Sequence, residues 1–500
     1  MLRILGSRKT LCDGLTRRDL LQVGGMGMFG LGLCDALRLQ AAQTEIATSA
    51  AKFGKAKACI LLFPFGSPPQ HETFDPKPDA PIEVQGEMRA IPTSVPGLQI
   101  GEGLPQVAQI MDRVTVVRSM THPYPVHGVA YALTGMPTYT PAIEANPRAP
   151  EHWPFLGSLV DYLDERSADG APPKVPRNMG LPWQFGSKSS LPNLAGPYAA
   201  FLGQAYDPVW TEFDGKGTKV VPKLSDGQTN DVYDPFAGIT LEGKFKLCSS
   251  GELPADVSLA QLGLRRSLLA QFDQARSWLA DDARVEAFDK QRQMAWSLIA
   301  TSRTREALDI ARESAAVRER YGMTLFGQAS LAARRLVEAG SRFVSVFWDP
   351  FEPFGGSCWD THANHFPRLK QYLLPVFDQT YSALIRDLDE RGLLDETLVV
   401  CVSEHGRTPK IDSKPMGAGR HHWSRVYSAI FAGGGVARGK VVGHSDAHGG
   451  DVKDTPVSPK DVLATTFHLL GIDPHTMVTD PQGRPLPIAG DGEVRSELLG

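Results

Sequence analysis

Two stretches, each a run of acid and histidine side chains set beside a buried strand, restrict this chain to an α/β fold more than anything else in it. Trp359-Asp360-Thr361-His362-Ala363-Asn364-His365 is answered, after one helix and one strand, by Ser403-Glu404-His405-Gly406-Arg407-Thr408-Pro409. Between them Leu369, Leu373, Val376, Phe377, Leu384 and Leu388 recur at helical spacing, and Gly392 marks the stop. Thr397-Leu398-Val399-Val400-Cys401-Val402 then reads as a buried strand. Glu404 and His405 therefore fall just past a strand's carboxyl end, the edge at which open α/β sheets hold their ligands. Carboxylates and imidazoles gathered there are donors for a divalent cation, so the pair of motifs predicts a metal-assisted hydrolase site.

The same helix, glycine, strand unit occurs earlier, as Leu325 to Glu338, Gly340, and Arg342 to Phe347, each unit being half of a right-handed crossover. Upstream, Ala58 to Phe63 opens onto Gly66-Ser67-Pro68-Pro69-Gln70-His71-Glu72-Thr73-Phe74-Asp75, and Val114 to Val117 opens onto Arg118-Ser119-Met120-Thr121-His122-Pro123, with His127 following. Further strand ends thus carry polar clusters. Gly419-Arg420-His421-His422-Trp423 precedes a strand from Val426 to Phe431, and Gly433-Gly434-Gly435 is a tight turn, not a phosphate loop, since no Lys-Ser/Thr follows it. Ser458-Pro459-Lys460-Asp461 caps a last helix through Leu470, and the tail from Pro474 reads as a surface strap. A single domain is expected over 55–490, with an irregular, Pro- and Gly-rich cap or rim at 137–256 and a helical segment at 258–339.

A net charge of −4 and the lack of a long basic run give no electrostatic basis for nucleic-acid binding. Six cysteines without a C-x-x-C pair imply neither a zinc ribbon nor a dense disulfide framework, and the pairing of Cys59, Cys248, Cys358 and Cys401 stays open. Thr16-Arg17-Arg18-Asp19-Leu20-Leu21-Gln22 has the twin-arginine pattern. The apolar run Val23 to Leu33 behind it is too short and too glycine-rich to span a bilayer. Residues 1–42 are expected to be an export signal, leaving a periplasmic or secreted mature chain with no transmembrane segment.

Together, the twin-arginine start, Gly66 to Pro78, Trp359 to His362, Ser403 to Pro409 and Gly419 to Trp423 resemble the exported bacterial sulfatase-like family of unknown function within the alkaline phosphatase superfamily. The resemblance implies a three-layer α/β/α sandwich of alkaline phosphatase/sulfatase type with two divalent ions, Zn, Ca or Mn. Carried over by position, Glu404 and His405 match the superfamily's Asp-His metal pair, and Asp360 and His362 are similar to its Asp-x-x-x-His pair with shortened spacing. His422 resembles the late His ligand, and Glu72 stands where the ligand after the first strand is expected. Arg407, or Arg118, is positioned by this reading to fork onto the remaining oxygens of an ester.

The departures bear on the nucleophile. No Cys/Ser-x-Pro-x-Arg pentapeptide occurs, so the usual formylglycine is not expected. Thr121, ahead of Thr134-Gly135, echoes the Thr nucleophile of phosphodiesterase relatives, with a turn or cap role as its alternative. His127 is expected as a ligand or as support for one, and for His421 a structural and a functional role stand side by side. The expected activity is hydrolysis of a sulfate or phosphate ester on a small molecule or glycan. The rival is a non-catalytic sulfatase-like protein that binds glycans or envelope partners; a serine hydrolase is disfavoured, since no G-x-S-x-G elbow is present.

Overall fold

The computed structural model describes residues 52–124, 127–136, 145–147, 149, 151–167, 173–189, 194–225, 228–233, 236–248, 302–351, 358–413 and 417–500. The expected export signal, and 258–301 of the expected helical segment, lie outside them. In chain order the main elements are β1 (Ala58–Pro64), β2 (Val114–Met120), α1 (Val129–Thr134), α2 (Leu156–Ser167), β3 (Asn178–Leu181), β4 (Val209–Asp214) and β5 (Lys244–Leu247). They continue with α3 (Leu325–Ala339), β6 (Phe343–Trp348), α4 (Leu374–Glu390), β7 (Thr397–Cys401), β8 (Tyr427–Ala432), β9 (Lys440–Val442) and α5 (Pro459–Leu469).

The nine strands form one sheet in the order β9-β2-β8-β7-β1-β6-β3-β4-β5. β1 is central and pairs in parallel with β6 and β7, and the parallel run continues through β3 and β4. β8 is antiparallel to both β7 and β2, and β5 is antiparallel to β4. Both faces of the sheet are covered, which is why its strands are continuous apolar runs and not alternating ones. Ile60, Leu62, Val344, Val346, Val399 and Cys401 point into one core with α3 and α4. Cys59, Leu61, Phe63, Phe343, Phe347, Leu398 and Val400 point into the other, with α1, α2 and α5. This is the expected α/β/α sandwich.

Local signals place the ends of these elements. Thr324 accepts the Gly327 N–H at the start of α3, and Gly340 ends it in the left-handed region. Ser458 and Asp461 form a reciprocal capping box on α5. The helix expected from Phe366 starts at His365 as a short α turn, widens to a π-type segment at Leu369–Leu373, and becomes α4. Pro375 sits at that junction and has no N–H to give the preceding turn.

Residues 137–256 differ from the expected cap. Their described parts supply α2, which packs on β6 and β3, and strands β3, β4 and β5 of the main sheet. These strands are short, and Gly180 leaves room for the Trp210 ring beside it, so little periodicity reaches the sequence. The tail beyond Pro474 is more than a strap, since Ile488 and Leu498 are fully buried. All four described cysteines are free thiols. Among the described residues no helix is long and apolar enough to cross a membrane.

Candidate metal centre

β1, β6 and β7 run parallel, and β2 runs the same way because it is antiparallel to β8, itself antiparallel to β7. Their carboxyl ends therefore share one edge of the sheet. β8 runs against them, so the residues that precede it, Arg420 to Ser424, arrive at that same edge. A two-residue ladder pairs Gly406 with Trp423 and Arg407 with His422, tying the segment before β8 to the segment after β7. The loop after β6 packs on the loop after β1: Trp359 N–H donates to Phe65 O, and a Cβ at Gly66, which has φ +91°, would lie 2.2 Å from the Asp360 nitrogen. Only glycine admits that approach.

Asp360 is the anionic centre of the cluster. Its Oδ1 accepts from Arg407 Nη2 at 2.6 Å and lies 3.0 Å from His362 Nε2 and 3.3 Å from His422 Nε2. Its Oδ2 lies 3.6 Å from His127 Nε2. Burial opposes its charge, yet Arg407, followed by His127, His362 and His422, holds the carboxyl well below the usual range. His127 is likewise penalised by burial, but hydrogen bonds to Asp360 and Glu404 raise its pKa to about 9. His405 is held well below its ordinary value by burial, reinforced by Arg407, His422 and His127, and burial also lowers His422. Neutral imidazoles at these two positions are the form that ligates a metal.

These side chains fit a cation. His127, His405 and His422 bring nitrogens within 4.8 Å of one another, and so do the donor atoms of Asp360, His362 and His422, making two triads that share His422. The contacts of 2.9 to 3.3 Å among Asp360 Oδ1, His362 Nε2 and His422 Nε2 are close to the roughly 3.3 Å edge of a tetrahedron with metal bonds near 2 Å. Two of the rings are fixed by their other nitrogen: His127 Nδ1 donates to Glu404 Oε1 at 3.0 Å and His405 Nδ1 to Gly406 O at 2.8 Å. The second bond leaves His405 Nε2 buried with no hydrogen-bond partner among the described residues. An orphaned acceptor in such a cluster is an open ligand atom.

Of the residues expected from sequence, the structure brings together Asp360, His362, His405 and His422, with His127 among them. Glu404 stands behind His127, its Oε1 also taking the Gly66 N–H at 2.8 Å and its Oε2 the Ser403 hydroxyl at 2.6 Å. That carboxylate is spent on holding the loops. Arg407 is fully buried and turned inward, donating to Gly66 O, Arg420 O and Asp360, and is not free to fork onto an ester. Arg118 is spent on Phe74 O and Gln99 O. Glu72 does not join the triads; it pairs with Arg420 Nη2 at 2.6 Å and lies 3.2 Å from His365 Nε2. Thr121 directly follows β2 with its amide bonded to Val457 O, and among the described residues its hydroxyl has no hydrogen bond to the cluster. It is the neighbouring His122 that ties this strand end to the site, through Nε2 and Glu404 O at 2.7 Å. His122 was visible only as one polar residue of a loop.

Solved structures similar to the chain include the PsFucS1 sulfatase from Pseudoalteromonas sp., at 12% identity, covering 91% of this chain and 76% of that one with a TM-score of 0.42. The phosphonate monoester hydrolase SpPMH from Silicibacter pomeroyi is similar at 12% identity, 84% and 74% coverage and TM-score 0.33. The C-terminal periplasmic domain of EcEptC from Escherichia coli, in complex with Zn, is similar at 10% identity, 90% and 93% coverage and TM-score 0.31. Likeness at this level carries no chemistry from those proteins to this one. No curated protein matches the chain. The match that does identify it spans residues 56–499, nearly all of the described fold: the chain belongs to the family described as protein of unknown function, DUF1501.

Proposed function

We propose that this is an exported, metal-dependent hydrolase of sulfate or phosphate esters, with Asp360, His362 and His422 holding a divalent ion and His127 and His405 lining the adjoining position. The observation that carries this reading is the convergence of four imidazoles and one carboxylate from separate loops at a ligand-binding sheet edge, with His405 Nε2 left buried and open. An imidazole-rich donor set suits zinc better than manganese or calcium, which favour oxygen ligands. When bound, such an ion polarises an ester oxygen and activates a solvent nucleophile.

The chain's own residues supply the frame for that chemistry. Arg407 fixes the Asp360 carboxylate and keeps it ionised. Glu404 takes the His127 Nδ1–H, which turns Nε2 toward Asp360 Oδ2 and the rest of the cluster. Phe65 stacks on the His127 ring, with centroids 5.0 Å apart, and so supports its orientation. Export rests on the Arg17-Arg18 pair; replacing both by Lys is expected to hold the protein in the cytoplasmic fraction, and unchanged fractionation would remove this part of the proposal.

The central test is elemental analysis of the purified protein together with turnover of a panel of aryl sulfates and aryl phosphates. Stoichiometric metal is expected in the wild type and its loss, with loss of turnover, in Asp360→Ala. Full metal in that variant would place the site elsewhere. The same panel run on Thr121→Ala is expected to show turnover retained, since the Thr121 hydroxyl is not bonded to the cluster; abolished turnover with metal intact would make Thr121 the nucleophile. A metal-loaded wild type that hydrolyses nothing would favour the rival reading, a binder of glycans or envelope partners.

A further inference from the structure

Three imidazoles facing the centre have their outward nitrogen anchored, and the anchors are of two kinds. His127 and His405 rest on groups that can only accept there, the buried Glu404 carboxylate and the Gly406 carbonyl. His362 rests on another imidazole: its Nδ1 lies 2.8 Å from Nδ1 of His421, whose Nε2 is 2.9 Å from Asp412 Oδ2. Two ring nitrogens at that distance share one proton, and which ring carries it decides whether His362 can ligate.

We infer that Asp412 and His421 are positioning residues that fix His362 in its ligating tautomer, an inference that rests on the metal reading above. An ionised carboxylate accepts only, so Asp412 requires the proton on His421 Nε2. A neutral His421 then presents a bare Nδ1. His362 must donate to it from its own Nδ1, which leaves His362 Nε2 bare and aimed at Asp360 Oδ1 and the His422 ring. The opposite tautomer would put a hydrogen on His362 Nε2, where it would bond to Asp360 and block the metal position. The assignment therefore runs inward from Asp412, one proton per contact.

The geometry also explains why this arm can be probed without breaking the fold. The side chains of Asp412, His421 and His362 are 37%, 38% and 40% exposed, whereas Glu404 is fully buried. The backbone around them is held independently of the two side chains in question. Asp412 and Gly419 exchange main-chain hydrogen bonds, and the His421 amide donates to Thr408 Oγ1. Removal of the Asp412 carboxylate or the His421 ring thus takes away an acceptor while these main-chain bonds stay in place.

The test is zinc affinity, read by competition with a chromophoric chelator on the full-length protein, for wild type, Asp412→Ala, His421→Leu and His421→Gln. Loss of an outer orienting partner weakens metal binding on the order of 10- to 100-fold, and this is expected for Asp412→Ala and His421→Leu. His421→Gln carries a carboxamide oxygen that can accept the His362 Nδ1–H, so it is expected to bind more tightly than His421→Leu. Affinity unchanged in Asp412→Ala and His421→Leu would overturn the inference while leaving the metal site standing. Equal weakening in the Gln and Leu variants would overturn it too, because the loss would then follow the missing ring and not the missing acceptor. A wild type that binds no zinc would remove the metal reading itself, and this inference with it.

Discussion

Glu72 is buried between Arg420, whose Nη2 donates to Oε1 at 2.6 Å, and His365, whose Nδ1 contacts Thr361 Oγ1 at 2.7 Å. Arg420 also donates to Thr408 O, Pro409 O and Val84 O. The network ties the loop after β1 to both segments that carry His362 and His422, so Glu72 braces the segments that bear the proposed ligands and lies outside both triads. Burial would raise its pKa, but Arg420 and His365 bring it down to about 2 from 4.5. A carboxyl depressed on folding contributes stability that is present above its unfolded pKa and is lost as pH falls through its folded one. The window is therefore pH 4.5 to 2, and the contribution is roughly 3 kcal/mol. Glu72→Gln leaves Arg420 buried without its anion and is expected to cost about 3–5 kcal/mol at pH 7. That deficit should shrink as wild type and variant are unfolded at successively lower pH, and a deficit constant from pH 7 to pH 2 would refute the assignment. Position in sequence singled out Glu72 but gave its role as a ligand, because the partner that claims it lies 348 residues away.

At the scale of elements, the strands that bear the site were legible because they are buried on both faces. Continuous apolar runs identify β1, β2, β6, β7 and β8 within one to three residues of their observed ends, and the polar stretch after four of them marks the site edge. What stayed hidden was direction. Nothing local says that β8 runs antiparallel, yet that is what delivers His421 and His422 from the segment before a strand while the other residues of the cluster come from segments after one. The ladder between Arg407 and His422 was hidden for the same reason. The π-type segment at Leu369–Leu373 escaped because its apolar spacing reads as ordinary helix, and β3 to β5 escaped because four- to six-residue strands in Pro- and Gly-rich sequence carry almost no period. His127 was legible as a residue but not as a partner of Glu404, since that contact spans 277 residues.

For the molecule as a whole, the question is what closes these distant segments together, and the structure separates two kinds of cross-link. The donor atoms of the two triads come from Asp360, His362, His405, His422 and His127, residues that converge only when the sheet is complete. A cation there binds the native state and has no equivalent site in the unfolded chain, so it stabilises by mass action, by about 2.7 kcal/mol at a free concentration of 100 Kd. Covalent closure is absent among the described residues: Cys59, Cys358 and Cys401 are buried thiols, each raised by burial above the ordinary cysteine value, and Cys248 is half-buried and unpaired. Metal and reductant should therefore act differently on the same melting curve. Stripping the purified protein with a chelator is expected to lower Tm, and returning the metal to restore it, while dithiothreitol with metal present leaves Tm where it was. A chelator-insensitive Tm in protein shown to have lost its metal would mean that the histidine cluster is held by its own hydrogen bonds and Arg407 alone, and that an ion there adds no stability to the fold.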